Sequence, residues 1–102
     1  MNNEILYSLF KESTPDKPTT KFLFAIRQLA YDIYGKTYRG NLSNVTEEWV
    51  NDLVQEVALR STQYFHNYNE ERGTFYSYAM KTIQSCFAKV LLTRMLEDEI
   101  NK

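Results

Sequence analysis

From Thr46 onward the chain carries one stripe at three- and four-residue intervals: Trp49, Val50, Leu53, Val54, Val57, Ala58, Ser61, Tyr64 and Phe65. That spacing has the period of an α-helix and not of a strand, so the segment must bury one face against other elements. Thr46 is a suitable N-cap, and Glu47 and Glu48 set negative charge at the positive end of the helix dipole. The opposite face carries Asn51, Asp52, Gln55, Glu56 and Arg60, and the helix is expected to end near His66. Only three glycines and two prolines interrupt the 102 residues, which favours long helices over many short strands.

Three further helices complete the pattern. A short one is expected over about Asn3–Lys11, before a stretch made extended by Pro15 and Pro18. The next runs over about Thr20–Gly35, capped by Thr19 or Thr20. Its apolar positions are Phe22, Ala25, Ile26, Leu29, Ala30 and Ile33, and Gly35 is a suitable stop. Lys36–Val45 reads as a polar connector. After a polar turn over His66–Gly73, a last helix runs from about Thr74 to Glu99. Its inner stripe is Phe75, Ala79, Ile83, Cys86, Phe87, Val90 and Leu91. Leu92, Met95, Leu96 and Ile100 form a second apolar strip. The expected fold is all-α, a compact bundle of three main helices plus a short N-terminal helix. Residues 1–18 form the helix and proline-containing linker, and residues 19–102 the helical domain.

Several function classes fit poorly. There is one histidine and one cysteine, with no zinc spacing, no glycine-rich phosphate loop and no evident carboxylate pair, so an enzyme, a metal site or a bound cofactor is not expected. Cys86 has no partner for an internal disulfide and suits a reducing compartment. Met1–Glu12 lacks the basic start and apolar run of a signal peptide, and no segment approaches the roughly 20 apolar residues of a membrane span. A soluble cytoplasmic protein is expected. The net charge of −1 leaves no surplus of cations for holding nucleic acid unaided, so any contact with DNA should depend on a partner.

The most specific pattern combines the helix and the turn. Asp52-Leu53-Val54-Gln55-Glu56 is followed by Tyr68, then Arg72-Gly73, then Phe75 with Tyr78-Ala79 three residues on. A turn after Arg72 calls for positive φ, which glycine tolerates best. This order and spacing resemble region 2 of the sigma-70 family of RNA polymerase sigma factors, over about Val45 to Leu91. There an Asp-Leu-[Ile/Val]-Gln-Glu helix precedes an aromatic residue, an Arg-Gly turn and a Phe-x-x-Tyr-Ala helix start.

The resemblance implies roles for matching residues. Asp52, Gln55 and Glu56 correspond to the face that docks on the coiled coil of the polymerase β′ clamp, where carboxylates can pair arginines bidentately. Tyr68, Arg72 and Tyr78 correspond to the pocket for a base flipped from the −10 element, with Phe75 and Tyr76 beside it. Aromatic faces stack on an unpaired base for roughly 1–3 kcal/mol. Phe75 is equally suited to the core, and Tyr64 and Phe65 are better suited to the core than to DNA. Lys81, Lys89 and Arg94 lie along one side of the last helix and suit either phosphates or solvent.

Departures from the family are also legible. The tandem tryptophans that follow Tyr-Ala in housekeeping factors are replaced by Lys81 and Thr82, and one residue fewer separates Gly73 from Phe75. No second helical domain for a −35 element is expected. In these respects, and in Gln84-Ser85-Cys86-Phe87 and the placement of Trp49, the chain resembles the late-transcription sigma factors of T-even-like bacteriophages. That resemblance implies polymerase core, promoter DNA, a coactivator and a sliding clamp as partners, in the host cell cytoplasm. Glu97–Lys102 does not look like the clamp-binding peptide of that group. Leu6, Leu9 and Phe10 do resemble one, and they equally suit an amphipathic helix packed on the domain. The alternative reading is a region-2-like adaptor or inhibitor that binds polymerase without reading DNA.

Overall fold

In a computed structural model, residues 2–14, 16–40 and 45–100 are described, the last three by backbone alone. Pro15, connector residues 41–44 and the Ile100 side chain therefore lie outside the description. Among the described residues the elements are helices α1 (Asn3–Glu12), α2 (Thr20–Thr37), α3 (Glu47–Thr62) and α4 (Phe75–Ile100), with two 3-10 turns, Phe65–Asn67 and Glu70–Arg72. No strand occurs among them, and the chain is all-α.

Each of the first three helices starts on a side chain that accepts an otherwise orphaned backbone N–H. Asn2 Oδ1 accepts from Ile5 at 2.9 Å, Thr19 Oγ1 from Phe22 at 3.2 Å, and Thr46 Oγ1 from Trp49 at 3.0 Å. Between α1 and α2 the backbone is extended at Ser13 and Thr19. Thr14 and Lys17 exchange backbone hydrogen bonds of 3.4 and 3.2 Å, and Ser13 Oγ accepts the Thr19 N–H at 3.0 Å. These bonds fold α2 back against α1.

α2 packs on α3, α3 on α4, and α1 lies against both α2 and α4. The core between them holds Leu6 from α1, Phe22, Ile26 and Ile33 from α2, Leu53, Val54 and Val57 from α3, and Phe75, Ile83, Phe87 and Val90 from α4. Burial of side chains of this size stabilises by roughly 1.5–3 kcal/mol each. The stripes read from sequence point inward, except that Leu91 and Trp49 are half-buried and Tyr64 is exposed. Leu92, Met95 and Leu96 of the second strip are 58, 64 and 55% exposed.

Two helix ends differ from the sequence reading. α2 passes through Gly35 and ends at Thr37, because Gly35 does not take up positive φ. The termination falls to Tyr38 and Arg39, whose N–H groups both donate to the Tyr34 carbonyl. Tyr38 in turn packs on Phe87, with centroids 5.3 Å apart. α3 stops at Thr62 instead of near His66, since the bonds beyond it shorten to 3-10 type: Gln63 donates to Arg60 and Tyr64 to Ser61. This tightening separates two neighbours expected in the core. Phe65 is 1% exposed, whereas Tyr64 is 39% exposed and faces outward.

The core also claims two groups read as candidate contacts. Phe75 is completely buried and cannot touch DNA in this fold. Leu6 is likewise buried, Leu9 and Phe10 pack against the core, and the Phe10 ring stacks on Phe75 at 4.4 Å and 15°. Leu6 is thus enclosed in the folded domain, while Leu9 and Phe10 remain half-buried.

Two stability changes follow. Phe75→Ala should cost about 3–5 kcal/mol in urea unfolding, as expected for deletion of a fully enclosed ring. Ser61→Ala should act in the opposite direction. Ser61 Oγ is buried and, among the described residues, lacks a hydrogen-bond partner, so removing it should raise stability by about 1 kcal/mol. A lowered unfolding midpoint in Ser61→Ala would contradict this.

Candidate functional site

The site is built where the polar segment between α3 and α4 turns twice. The first 3-10 turn leaves Tyr68 at its end with extended backbone, ψ 134°. Asn69 Oδ1 then accepts the Glu71 N–H at 3.0 Å, and the Arg72 N–H donates to the Asn69 carbonyl at 3.0 Å, closing the second turn. Gly73 follows with φ 138° and ψ −174°, a conformation open essentially to glycine alone. A Cβ there would meet nothing within 4 Å, so the backbone angle and not crowding explains the glycine.

α4 begins immediately after. Thr74 Oγ1 accepts the Ser77 N–H at 3.2 Å, and Asn3 Oδ1, from the start of α1, accepts the Tyr76 N–H at 2.9 Å. The helix is thus capped once by its own sequence and once across the fold.

These turns enclose a recess of about 590 Å³, lined by Asn67–Asn69 and Arg72–Thr74 on one side and by Ser77, Tyr78 and Lys81 on the other. Its volume lies in the usual range for small-ligand sites, roughly 300–1,000 Å³. Tyr68 and Tyr78 approach with centroids 5.5 Å apart at 46°. Both hydroxyls are tied to backbone: Tyr68 donates to the Gly73 carbonyl at 2.7 Å and Tyr78 to the Tyr64 carbonyl at 2.9 Å. The rings are therefore held in place before any ligand arrives. No carboxylate lines the recess among the described residues.

Tyr78 and Lys81 also wall a second recess of about 290 Å³ along α4, reached by Tyr64, Ser85 and Lys89. The Lys89 ammonium sits 5.2 Å from the Tyr64 ring centre. The two recesses give one continuous path of tyrosine rings and cations. Tyr64 was assigned to the core from its spacing. That spacing assumed an unbroken helix, and its register is lost at Thr62.

Of the sequence-derived candidates, Tyr68, Arg72, Tyr78 and Lys81 come together, with Lys89 adjoining. Tyr76 is half-buried and does not line either recess. Arg94 leaves the line of Lys81 and Lys89 altogether. Its guanidinium donates to Glu56 Oε2 at 3.0 Å and lies 5.3 Å from the Trp49 ring centre.

That contact bears on the second candidate surface. Asp52, Gln55 and Glu56 share one side of α3; Asp52 and Gln55 are exposed, while the Glu56 carboxylate is already partnered. Beside Gln55, Leu23, Phe24 and Leu59 wall a cleft of about 190 Å³. Phe24 and Leu59 are 59 and 46% exposed; neither was singled out from sequence, where both pass for ordinary apolar helix residues.

Behind the recess, the Tyr7 hydroxyl of α1 donates to Glu70 Oε2 at 3.1 Å, and its ring meets Tyr68 edge-on at 5.7 Å. The Tyr7 hydroxyl titrates above its ordinary value. Burial disfavours the phenolate, the Glu70 bond holds the neutral phenol, and the Glu70 carboxylate repels a second negative charge.

Comparison with protein-family models, curated proteins and solved structures finds no match for the chain.

The raised Tyr7 value has a defined sign. A group that holds its proton more tightly when folded contributes stability fully below the unfolded value, near pH ~10, and loses it as pH rises through the folded value. The stability difference between wild type and Tyr7→Phe should therefore be complete at neutral pH and shrink in alkaline buffer. Urea titrations showing the same difference on both sides of that range would contradict the assignment.

Proposed function

We propose that this chain is a minimal sigma-region-2-like factor that docks on RNA polymerase core and captures an unpaired base of a −10-like promoter element. The observation that carries the reading is the convergence of Tyr68, Arg72, Tyr78 and Lys81 on one recess. Tyr68, Arg72 and Tyr78 match the base-capture region of sigma factors in sequence, and Lys81 is a candidate phosphate contact that departs from the family pattern. Rings held at a fixed separation, with cations at the rim, suit an unpaired base and its phosphates. The path continues past Tyr64 and Lys89, which suits a strand longer than one nucleotide.

Polymerase docking is assigned to Asp52, Gln55 and Glu56 on the exposed side of α3. The net charge of −1 supports a division of labour in which polymerase delivers the chain to DNA and the recess reads it. With Lys81 and Thr82 in place of a tryptophan pair, strand opening would draw on polymerase and a coactivator. Phage late transcription in a host cytoplasm is the setting this reading implies.

The near-neutral charge also favours a second reading, an adaptor or inhibitor that occupies the β′ clamp without reading DNA. Run-off transcription separates the two. Core polymerase with this protein and a late-type coactivator should yield promoter-dependent transcripts if the first reading holds. Polymerase binding with no such transcript supports the adaptor, and absence of binding to the β′ coiled coil defeats both.

The recess makes a narrower prediction. Arg72→Ala and Lys81→Ala should each weaken binding of an AT-rich single strand by the polymerase complex. Each should also lower the slope of log affinity against log salt by about 0.7, the value for one lost phosphate contact. Gln55→Ala with Glu56→Ala should weaken core binding while leaving the helical signal and its melting intact. An unchanged salt slope in both cation variants would remove DNA from the recess.

A further inference from the structure

The N-terminal helix touches both walls of the recess without lining it. Its Tyr7 hydroxyl bonds Glu70, the first residue of the turn that ends in Arg72. Its Asn3 side chain accepts the Tyr76 N–H, one turn-position from the start of the helix that presents Tyr78 and Lys81. The Tyr7 ring packs edge-on against Tyr68 and lies 5.9 Å from Phe75. The sequence separations of these two hydrogen bonds, 63 and 73 residues, mean that nothing local to the turn supplies them.

The turn's other restraints are its own bonds to Asn69 and the Tyr68 hydroxyl on the Gly73 carbonyl. Glu70, Glu71, Arg72 and Gly73 are all exposed, and none belongs to the core. A three-residue 3-10 turn is a short element with few bonds of its own. A backbone segment this exposed opens locally at low cost unless a tertiary contact restrains it.

We infer that Tyr7 and Asn3 are positioning residues for the recess: Tyr7 restrains the Glu70–Arg72 turn through Glu70, and Asn3 fixes the first turn of α4 through the Tyr76 N–H. Neither touches the ligand. The Glu70 carboxylate that Tyr7 bonds is not among the lining residues of the recess. The inference rests on the nucleic-acid reading of the recess and extends it to a helix that contributes no lining residue.

The test pairs binding with a direct readout of the turn. Affinity for an AT-rich single-stranded DNA oligonucleotide is measured for the polymerase complex with wild type, Tyr7→Phe, Asn3→Ala, Asn3→Asp and Arg72→Ala, at a temperature where each protein is fully folded. Tyr7→Phe and Asn3→Ala should each weaken binding by about three- to tenfold, in keeping with loss of one modest hydrogen bond. The salt slope should stay at the wild-type value, because no phosphate contact is removed. Asn3→Asp keeps an acceptor oxygen at the helix N-terminus, where negative charge is favoured, and should bind as wild type. Amide exchange at Glu71–Gly73 in the free protein should be accelerated about fivefold or more in Tyr7→Phe and remain unchanged in Asn3→Asp.

The outcomes are distinguishable. If Arg72→Ala weakens binding and Tyr7→Phe does not, the positioning role fails and the recess reading stands. If no variant, Arg72→Ala included, alters binding, the nucleic-acid reading fails and the inference fails with it. Unchanged amide exchange in Tyr7→Phe overturns the positioning role whatever the DNA result.

Discussion

The ring of Phe75 is where the parts of this fold meet. It is the first residue of α4 and is wholly enclosed. Phe10 of α1 stacks on it at 4.4 Å, Phe65 of the first 3-10 turn meets it at 5.3 Å, and Tyr68 at 5.2 Å. Phe22 of α2 closes the group at 6.2 Å. Stacked and edge-on pairs at these separations add about 0.5–1.5 kcal/mol each beyond simple burial. One side chain thus ties the N-terminal helix, the turn after α3 and the start of α4 to a common point. Remove it, and the two walls of the recess lose their shared support.

The surface chemistry grows directly from that interior cluster. Tyr7, Tyr68 and Tyr78 are its outer layer, with rings facing the phenylalanines and hydroxyls reaching polar partners at Glu70, Gly73 and Tyr64. A tyrosine-rich chain of this size can use the same residues as core and as surface, because the ring is apolar and the tip is not. Around the rim, Arg72, Lys81 and Lys89 supply positive charge that the chain as a whole lacks.

The opposing side of α3 is organised differently. Arg94 reaches from α4 to Glu56, and both side chains remain partly open to water. An ion pair in that setting is worth about 0–1 kcal/mol, so it restrains the Glu56 carboxylate without committing it. A partner offering better-placed arginines could take Glu56 over at little cost. The cleft formed by Leu23, Phe24 and Leu59 beside Gln55 adds apolar area to a face that otherwise reads as acidic and amide only.

Periodicity alone determined the helices, their inward stripes and the all-α class, because a 3.6-residue repeat leaves one way to bury Leu53, Val57, Ile83 and Phe87. The tyrosine and arginine positions of the recess were legible through a motif, as was the glycine that the turn requires, and Lys81 only through its side of the last helix. Sequence order could not supply the fate of residues whose neighbours are remote. Gly35 was read as a stop, yet the helix runs on to Thr37, where the Tyr38 and Arg39 N–H groups close it on the Tyr34 carbonyl and Tyr38 packs on Phe87. Tyr64 was read as core, yet the turn after Thr62 sends it outward. Phe75, Leu6 and Phe10 were candidates for contact with other molecules, yet the aromatic cluster encloses or stacks all three. Which apolar side chain becomes core and which becomes surface is decided partly by local turns such as that after Thr62 and partly by contacts between remote segments, such as Phe10 on Phe75 and Tyr38 on Phe87, and a helical repeat carries no record of either.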